Sequence, residues 1–242
     1  MNSKPCLSED QLNYLTDWFT QNWSLSSKIN NVYSLGLLQN LLVDFPFVPY
    51  TKFGLNPTGL LFIINDILIN NRKYIIEFGA GVSTIVIARL IKKNSLNTRL
   101  ISVEHDEGWL EMIANTLQKE KLSQNVKPIY APLSECDLSI NGMKWYNTKT
   151  LDNYIADQKF DAIIVDGPPS YSKEIMFSRY PAIPYLKDKL NTNIAIYLDD
   201  VEREGEREIL KKWSEILKIN FEIYDYTFGI YLSEKSYWPH AF

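Results

Sequence analysis

The sequence has few of the residues that are typical of proteins stabilised by disulfide bonds or by zinc. It also lacks the excess of basic residues that is typical of nucleic-acid-binding proteins. Its 242 residues include only two histidines and two cysteines, Cys6 and Cys136. The spacing of these cysteines fits neither a zinc site nor a disulfide framework, so we expect free thiols and a cytoplasmic protein. The net charge of −4 argues against the strongly basic surface of a nucleic-acid binder.

Long hydrophobic runs are also missing. The longest apolar stretch, Gly59–Ile69, is interrupted by an asparagine and an aspartate and is too short to span a bilayer. Residues 1–10 carry Glu9 and Asp10 and lack the apolar centre of a secretory signal. We therefore expect no membrane partner.

The first 56 residues differ in pattern from those that follow. Leucine and phenylalanine recur at helical spacing over 8–19, and a second short helix is predicted over 34–43. Two prolines within 45–50 bar a regular helix there. We interpret residues 1–56 as a helical cap and connector, which covers an edge of the main domain or forms a contact between subunits of a homo-oligomer.

From residue 57 to residue 242, short apolar strands alternate with amphipathic helices. This alternation predicts an α/β domain with a parallel sheet covered on both faces. The last two strands follow each other almost directly, which predicts an antiparallel end to the sheet. Residues 141–157 are predicted to form a long polar and aromatic excursion. The predicted strands are 74–78, 100–104, 126–130, 160–166, 194–198, 221–226 and 228–232, and the predicted helices are 58–69, 84–92, 109–119 and 204–217.

The first chemical signal is the segment from Glu77 to Thr84, in which a buried strand leads through two glycines into a helix. Glycines allow a tight turn and close approach of a ligand, and the helix start offers free N–H donors. A full dinucleotide fingerprint would have a third glycine where Thr84 stands. Glu77 would repel a phosphate group but suits an ammonium group, although a tight structural turn would look the same.

The second signal is Glu104, at the end of the next predicted strand. An acid at this position can accept hydrogen bonds from the two vicinal hydroxyls of a ribose. Glu104 lies one βαβ unit after Glu77, so the two signals support each other. A solvated acid at a strand end is the alternative.

Further acids follow two later strands. Asp166 ends the strand that begins at Phe160, and Asp199 and Asp200 end the strand that begins at Ile194. Ligands of open α/β sheets bind at the carboxyl ends of the strands, so these acids are expected to face one site.

Together these motifs resemble those of class I S-adenosylmethionine-dependent methyltransferases, over roughly residues 57–232. The resemblance implies a Rossmann-like sheet with an antiparallel C-terminal strand, and methyl transfer from S-adenosylmethionine. It implies that Gly79 and Gly81 pass under the methionine part, that Glu77 helps to hold the amino end, and that residues 131–135 lie near the adenine. The implied cofactor-binding residues are Glu77, Gly79, Gly81, Ser83, Thr84, Glu104, His105 and Asp166.

Small-molecule O-methyltransferases similar to catechol and macrocin-type enzymes are the nearer resemblance. Those enzymes carry metal-binding acids at the positions of Asp166, Asp199 and Asp200, which implies a site for Mg²⁺ or Mn²⁺. Asp166 and Asp200 are the expected catalytic residues, with direct substrate binding by these acids as the alternative to a metal. Catechol-type enzymes hold a lysine base where this sequence has Pro169, and the nearest lysine here is Lys173.

Other side chains allow more than one interpretation. His105 is a weaker candidate for a base because it follows the ribose acid. Arg179 and Arg203 either bind an anionic group of the substrate or pair with the nearby acids.

The function expected from these observations is methyl transfer to a small-molecule acceptor, at oxygen. The alternatives are an NAD-dependent oxidoreductase, a non-catalytic cofactor-binding protein with the same fold, and an aminopropyl transferase acting on a polyamine.

Overall fold

A computed structural model describes residues 25–43 and 45–241 of the chain. The helix predicted over 8–19 lies outside these residues. None of the helices within the described ranges combines the length and the apolar character needed to cross a bilayer. The helices are α1 (residues 25–38), α2 (Pro57–Ile69), α3 (Val82–Lys93), α4 (Glu107–Lys119), α5 (Thr148–Ile155), α6 (Ala182–Leu186) and α7 (Glu204–Leu217). The strands are β1 (Tyr74–Phe78), β2 (Arg99–Glu104), β3 (Val126–Tyr130), β4 (Leu133–Ser134), β5 (Trp145–Tyr146), β6 (Phe160–Val165), β7 (Leu190–Leu198), β8 (Glu222–Tyr224) and β9 (Phe228–Leu232).

Seven of these strands form one sheet in the order β3-β2-β1-β6-β7-β9-β8. The strands β3, β2, β1, β6 and β7 run parallel to one another. Strand β9 pairs antiparallel with both β7 and β8. This arrangement confirms the predicted Rossmann-like sheet with an antiparallel C-terminal end. From β1, the chain first builds the sheet on one side through β2 and β3 and then crosses to the other side with β6. The connections that follow β1 and β6 therefore run in opposite directions, and the carboxyl ends of these two strands flank a crevice.

The core has two halves, one on each face of the sheet. Because side chains alternate along a strand, Ile75 packs with α2, α3 and α4, while its neighbour Ile76 packs with α5, α6 and α7. Residues Ala162 to Val165 of β6 are all fully buried, as expected for a central parallel strand with helices on both faces.

The described part of the N-terminal region packs against the far end of the chain. Ser27 Oγ and Asn30 Nδ2 each donate a hydrogen bond of 2.9 Å to the carboxylate of Asp225, in the turn before β9. Arg89 of α3 donates to the carbonyl oxygens of Leu41 and Pro46. The helix starts earlier than the sequence pattern indicates: residues 25–38 are helical, and the predicted segment 34–43 ends in a 3-10 turn, Gln39–Leu41.

The predicted excursion over 141–157 is more ordered than its polarity indicates. It contains β5, which pairs antiparallel with β4 so that Tyr146 lies opposite Leu133. Asn147 then caps α5 by accepting a hydrogen bond of 2.9 Å from the amide of Thr150. Trp145 and Tyr146 are both fully buried, and their rings lie within 5.2 Å and 5.6 Å of the Phe78 ring, between centroids.

Candidate active site

A cavity of about 470 Å³ opens at the carboxyl ends of the parallel strands. Its size is in the range of pockets that bind small molecules. Its walls come from the turn after β1, the ends of β2, β6 and β7, and the connector between α1 and α2. The residues that line it include Lys52, Phe53, Gly79, Gly81, Glu104, His105, Trp109, Tyr146, Asp166, Gly167, Arg179, Asp199, Asp200 and Arg203.

The turn between β1 and α3 forms the floor of the cavity. Gly79 has a φ of +98°, and a Cβ atom there would lie 2.8 Å from the amide nitrogen of Gly167, so only glycine fits. A Cβ on Gly81 would meet no protein atom closer than Ser83 Oγ at 3.8 Å, which leaves room for a ligand. The indole N–H of Trp109 donates to the carbonyl of Ala80 at 2.6 Å and fixes the turn.

Glu77 lies beneath this turn and does not line the cavity. Ser83 Oγ and Ser102 Oγ each donate a hydrogen bond of 2.6 Å to its carboxylate, and the hydroxyl of Thr84 donates a third. Thr84 also accepts from the Gly81 amide at 3.0 Å. Burial raises the pKa of Glu77, and these hydroxyls act against that rise. The structure therefore places Glu77, Ser83 and Thr84 together as the support of the glycine turn.

Glu104 reaches the cavity from the end of β2. Its Oε1 accepts hydrogen bonds from the amides of His105 and Asp106 at 2.7 and 2.9 Å, and it lies 2.6 Å from His105 Nδ1. This contact raises the pKa of His105. The other oxygen, Oε2, has no hydrogen bond from any residue within the described ranges. It is left to accept from a ligand.

Three carboxylates converge at the other end of the cavity. Asp166 follows β6, and Asp199 and Asp200 follow β7. One oxygen atom from each lies within 4.8 Å of the others, an arrangement that could hold a metal ion. The strand register explains the convergence, because Val165 pairs with Leu198, Asp166 comes directly after Val165, and Asp199 and Asp200 are the two residues after Leu198. Asp200 has a φ of +63°, in the left-handed region that favours glycine, so its backbone is strained.

Arg179 is buried among these acids. Its Nη1 lies 2.9 Å from Asp200 Oδ2, and its Nη2 lies 3.4 Å from Asp166 Oδ1. It also donates to the backbone carbonyls of Pro168 and Asp199, at 3.1 and 3.2 Å. The guanidinium group is therefore fully engaged with the protein and ties the ends of β6 and β7 together. Of the two alternatives left by the sequence, the structure favours pairing with acids.

The three carboxylates repel one another although arginine side chains lie beside them. Burial and the charge of Asp199 raise the pKa of Asp166 well above its ordinary value. Burial and the charge of Asp200 raise the pKa of Asp199 to about 8. The second arginine, Arg203, lies 2.8 Å from Asp200 Oδ2 and is partly exposed. A cation bound between the three carboxylates would offset this repulsion.

The connector from α1 forms the outer wall of the cavity. Lys52 and Phe53 line it, and the ammonium group of Lys52 lies 5.0 Å from the centre of the Phe53 ring. Phe53 is 73% exposed. Tyr50 lies close by and donates from its hydroxyl to the carbonyl of Leu55 at 2.5 Å. The N-terminal region thus contributes directly to the site.

Several lining residues are not among the sequence candidates. Tyr146 and Trp109 line the cavity, whereas the segment 131–135 and Lys173 do not. The aromatic pair Trp145-Tyr146 within a polar stretch was the available signal for Tyr146, but it did not indicate which way the side chain points.

A protein-family comparison matches the part of the chain that builds this cavity. The model of a family described as a methyltransferase domain matches residues 76–201, more than half of the chain. No curated protein matches the sequence significantly. The family match favours methyl transfer over the dinucleotide-dependent oxidoreductase alternative.

Solved structures with a similar fold include three methyltransferases. A Staphylococcus aureus protein assigned as a caffeoyl-CoA O-methyltransferase has 14% identity and a TM-score of 0.54, over 85% of this chain and 99% of that chain. An O-methyltransferase from Bacillus cereus in complex with S-adenosylhomocysteine has 16% identity and a TM-score of 0.54, over 85% and 90%. A precorrin-6y C5,15-methyltransferase from Geobacter metallireducens has 15% identity and a TM-score of 0.51, over 74% and 80%. At these identities the likeness concerns the fold.

Proposed function

Because the chain belongs to the family of methyltransferase domains, we propose that it transfers a methyl group from S-adenosylmethionine to an oxygen atom of a small-molecule acceptor. The proposal rests on the composition of one cavity. Gly79 and Gly81 form its floor, Glu104 lies at one end, and the carboxylates of Asp166, Asp199 and Asp200 lie at the other. When bound, S-adenosylmethionine supplies a methyl group that is already activated on a sulfonium. The protein has to hold donor and acceptor in line and take up a proton.

The cavity residues fit this cofactor. The open space beside Gly81 accommodates a chain lying close to the backbone, and the positive φ of Gly79 gives the turn the shape that provides it. Oε2 of Glu104 is free to accept hydrogen bonds from ribose hydroxyls. Glu77 would act through the turn that it supports, by way of Ser83 and Thr84.

Asp166 is the residue that we propose to receive the proton of the acceptor hydroxyl. It follows the central strand β6, borders the glycine turn and lines the cavity, so its carboxylate is within reach of an acceptor held there. Asp200, held by Arg179 and Arg203, would orient the acceptor. Lys173 is exposed and outside the cavity, so we assign it no role as a base.

As the alternative to direct proton uptake by Asp166, we propose that Asp166, Asp199 and Asp200 hold a divalent cation such as Mg²⁺ or Mn²⁺. Once deprotonated, the three carboxylates outnumber the two guanidinium groups, and carboxylate oxygens are hard ligands suited to these ions. A bound cation would lower the pKa of an acceptor hydroxyl. The three aspartates would orient that hydroxyl by holding the ion in place.

The division of the chain into a cap and connector, 1–56, and a cofactor-binding domain, 57–242, belongs to the same proposal. It is supported by the position of the seven-stranded sheet, which lies wholly after residue 57 within the described ranges.

The test is a methyl-transfer screen that detects S-adenosylhomocysteine release with sugars, phenols, carboxylates and amines as acceptors. Turnover with an alcohol or phenol is the expected result. Binding of the cofactor without turnover of any acceptor would favour a non-catalytic protein. Activity after exhaustive EDTA treatment, with Mg²⁺ or Mn²⁺ added back, tests the cation. Full activity without metal, together with loss of activity in Asp166→Asn, would discard the cation and keep Asp166 as the base.

A further inference from the structure

Tyr146 carries a buried polar atom with no partner. The residue is fully buried, and its hydroxyl oxygen has no hydrogen bond with any residue in the described part of the chain. Buried hydroxyls are normally hydrogen-bonded, because leaving one unpaired costs stability. Beside a cavity, an unpaired hydroxyl of this kind is available to a ligand as a hydrogen-bond partner.

The side chain is held rigidly in this position. Its ring stacks on Phe78 at 5.6 Å between centroids and meets Trp145 edge to face at 5.7 Å. Its backbone pairs with Leu133 in the two-stranded sheet. The phenol therefore cannot easily turn away to find another partner.

The hydroxyl lies at the cavity floor, where the turns after β1 and β6 touch. A Cβ atom on Gly167 would lie 2.5 Å from it, and 2.8 Å from Cα of Gly79. The absence of a side chain at Gly167 is therefore what leaves room for the hydroxyl. Tyr146 itself lines the cavity together with both glycines.

Charges from both ends of the site act on the hydroxyl. Glu104 has the largest electrostatic effect on it, followed by Arg179 and Asp166. The ring of His105, the residue after Glu104, meets the Tyr146 ring edge to face at 6.2 Å between centroids. Burial and the neighbouring carboxylates raise the pKa of Tyr146, so it stays protonated and acts as a hydrogen-bond donor.

We infer that the Tyr146 hydroxyl donates a hydrogen bond to the ribosyl part of the bound cofactor, next to the oxygen atoms held by Glu104. This inference rests on the proposed function, since it assigns a further contact within the same site. It also accounts for the buried, unpaired hydroxyl at the floor of the cavity, because the bound ligand would accept its hydrogen bond.

The test is Tyr146→Phe, which removes only the hydroxyl oxygen. Tyr197→Phe is the matched control, because Tyr197 is equally buried but lies in the core outside the cavity. Calorimetry measures the Kd of S-adenosylhomocysteine and of adenosine, and a thermal melt follows the protein without ligand. We expect Tyr146→Phe to weaken both ligands by about three- to tenfold, as for one lost hydrogen bond. Its melting temperature without ligand should equal or exceed that of the unchanged protein.

The control should bind both ligands within twofold of the unchanged protein. Equal binding by Tyr146→Phe, or a lower melting temperature without ligand, would overturn the inference, because the hydroxyl would then have no ligand or would already have a partner. Weaker binding of S-adenosylhomocysteine with unchanged adenosine binding would move the contact to the methionine part and also overturn it. If the unchanged protein binds neither ligand, the proposed function fails, and that result is separate from the behaviour of Tyr146→Phe.

Discussion

The sharpest quantitative prediction concerns Glu104, because the structure separates the duties of its two oxygen atoms. Oε1 is occupied by two backbone amides and by His105, whereas Oε2 is free for the ligand. In Glu104→Gln, the amide oxygen must stay on the backbone side to accept those two N–H groups. The amide nitrogen then faces the cavity, where it can no longer accept hydrogen bonds from ribose hydroxyls.

Hydrogen bonds to a charged group contribute about 1.5–3 kcal/mol. Glu104→Gln should therefore raise the Kd of S-adenosylhomocysteine by about 10- to 150-fold in calorimetry. The control is Glu107→Gln, three residues further on at the exposed start of α4, which should leave the Kd unchanged. Unaltered affinity in Glu104→Gln, with a normal thermal melt, would refute the assignment of Oε2 to the ligand.

Three further predictions test the acid cluster, the core and the cap. The pKa of Asp199 is raised to about 8 from an ordinary 3.8. The metal-free folded state therefore holds the proton of Asp199 more tightly than the unfolded state does. The stability that this proton contributes is lost as the pH rises from the ordinary pKa of the unfolded state through 8. Asp199→Asn should therefore gain melting temperature relative to the unchanged protein between pH 5 and pH 9, and parallel curves would contradict this. Arg72→Gln should lower the free energy of unfolding in urea by about 3–5 kcal/mol, because it leaves the fully buried Asp66 without its cation; a loss below about 1 kcal/mol would count against this. Phe53→Ala should raise the KM of an acceptor found in the screen while leaving the Kd of S-adenosylhomocysteine unchanged, and the reverse pattern would place Phe53 at the cofactor instead.

The central strands of the sheet could be predicted because a run of apolar residues is enough to identify a strand that is buried on both faces. A strand such as β6 is buried on both faces, so four consecutive apolar residues identify it without knowledge of its neighbours. The acids that follow β6 and β7 then fall at the same sheet edge by topology alone. The convergence of Asp166 with Asp199 and Asp200 needed no more than the order of parallel strands.

The contacts that depend on side-chain direction could not be predicted in the same way. Glu77 stands at the expected place in the sequence, but its carboxylate turns inward to three hydroxyls, which periodicity does not show. The strand that carries Tyr146 has only two residues, too few for any alternation of apolar and polar residues to appear. Arg179 finds its partners on two strand ends and one helix, and only the folded chain brings these together.

The pairing of α1 with the turn before β9 has a consequence for synthesis of the protein. Ser27 and Asn30 meet Asp225 across 198 and 195 residues of chain, and Asn56, which caps α2, donates to Thr227 at 2.7 Å. A ribosome makes the N-terminal segment first, yet that segment receives these partners last. The wall at 49–54, which lies between them, can be fixed only after the final strands emerge. The side of the cavity that we assign to the acceptor is therefore complete only in a chain that carries its last strands.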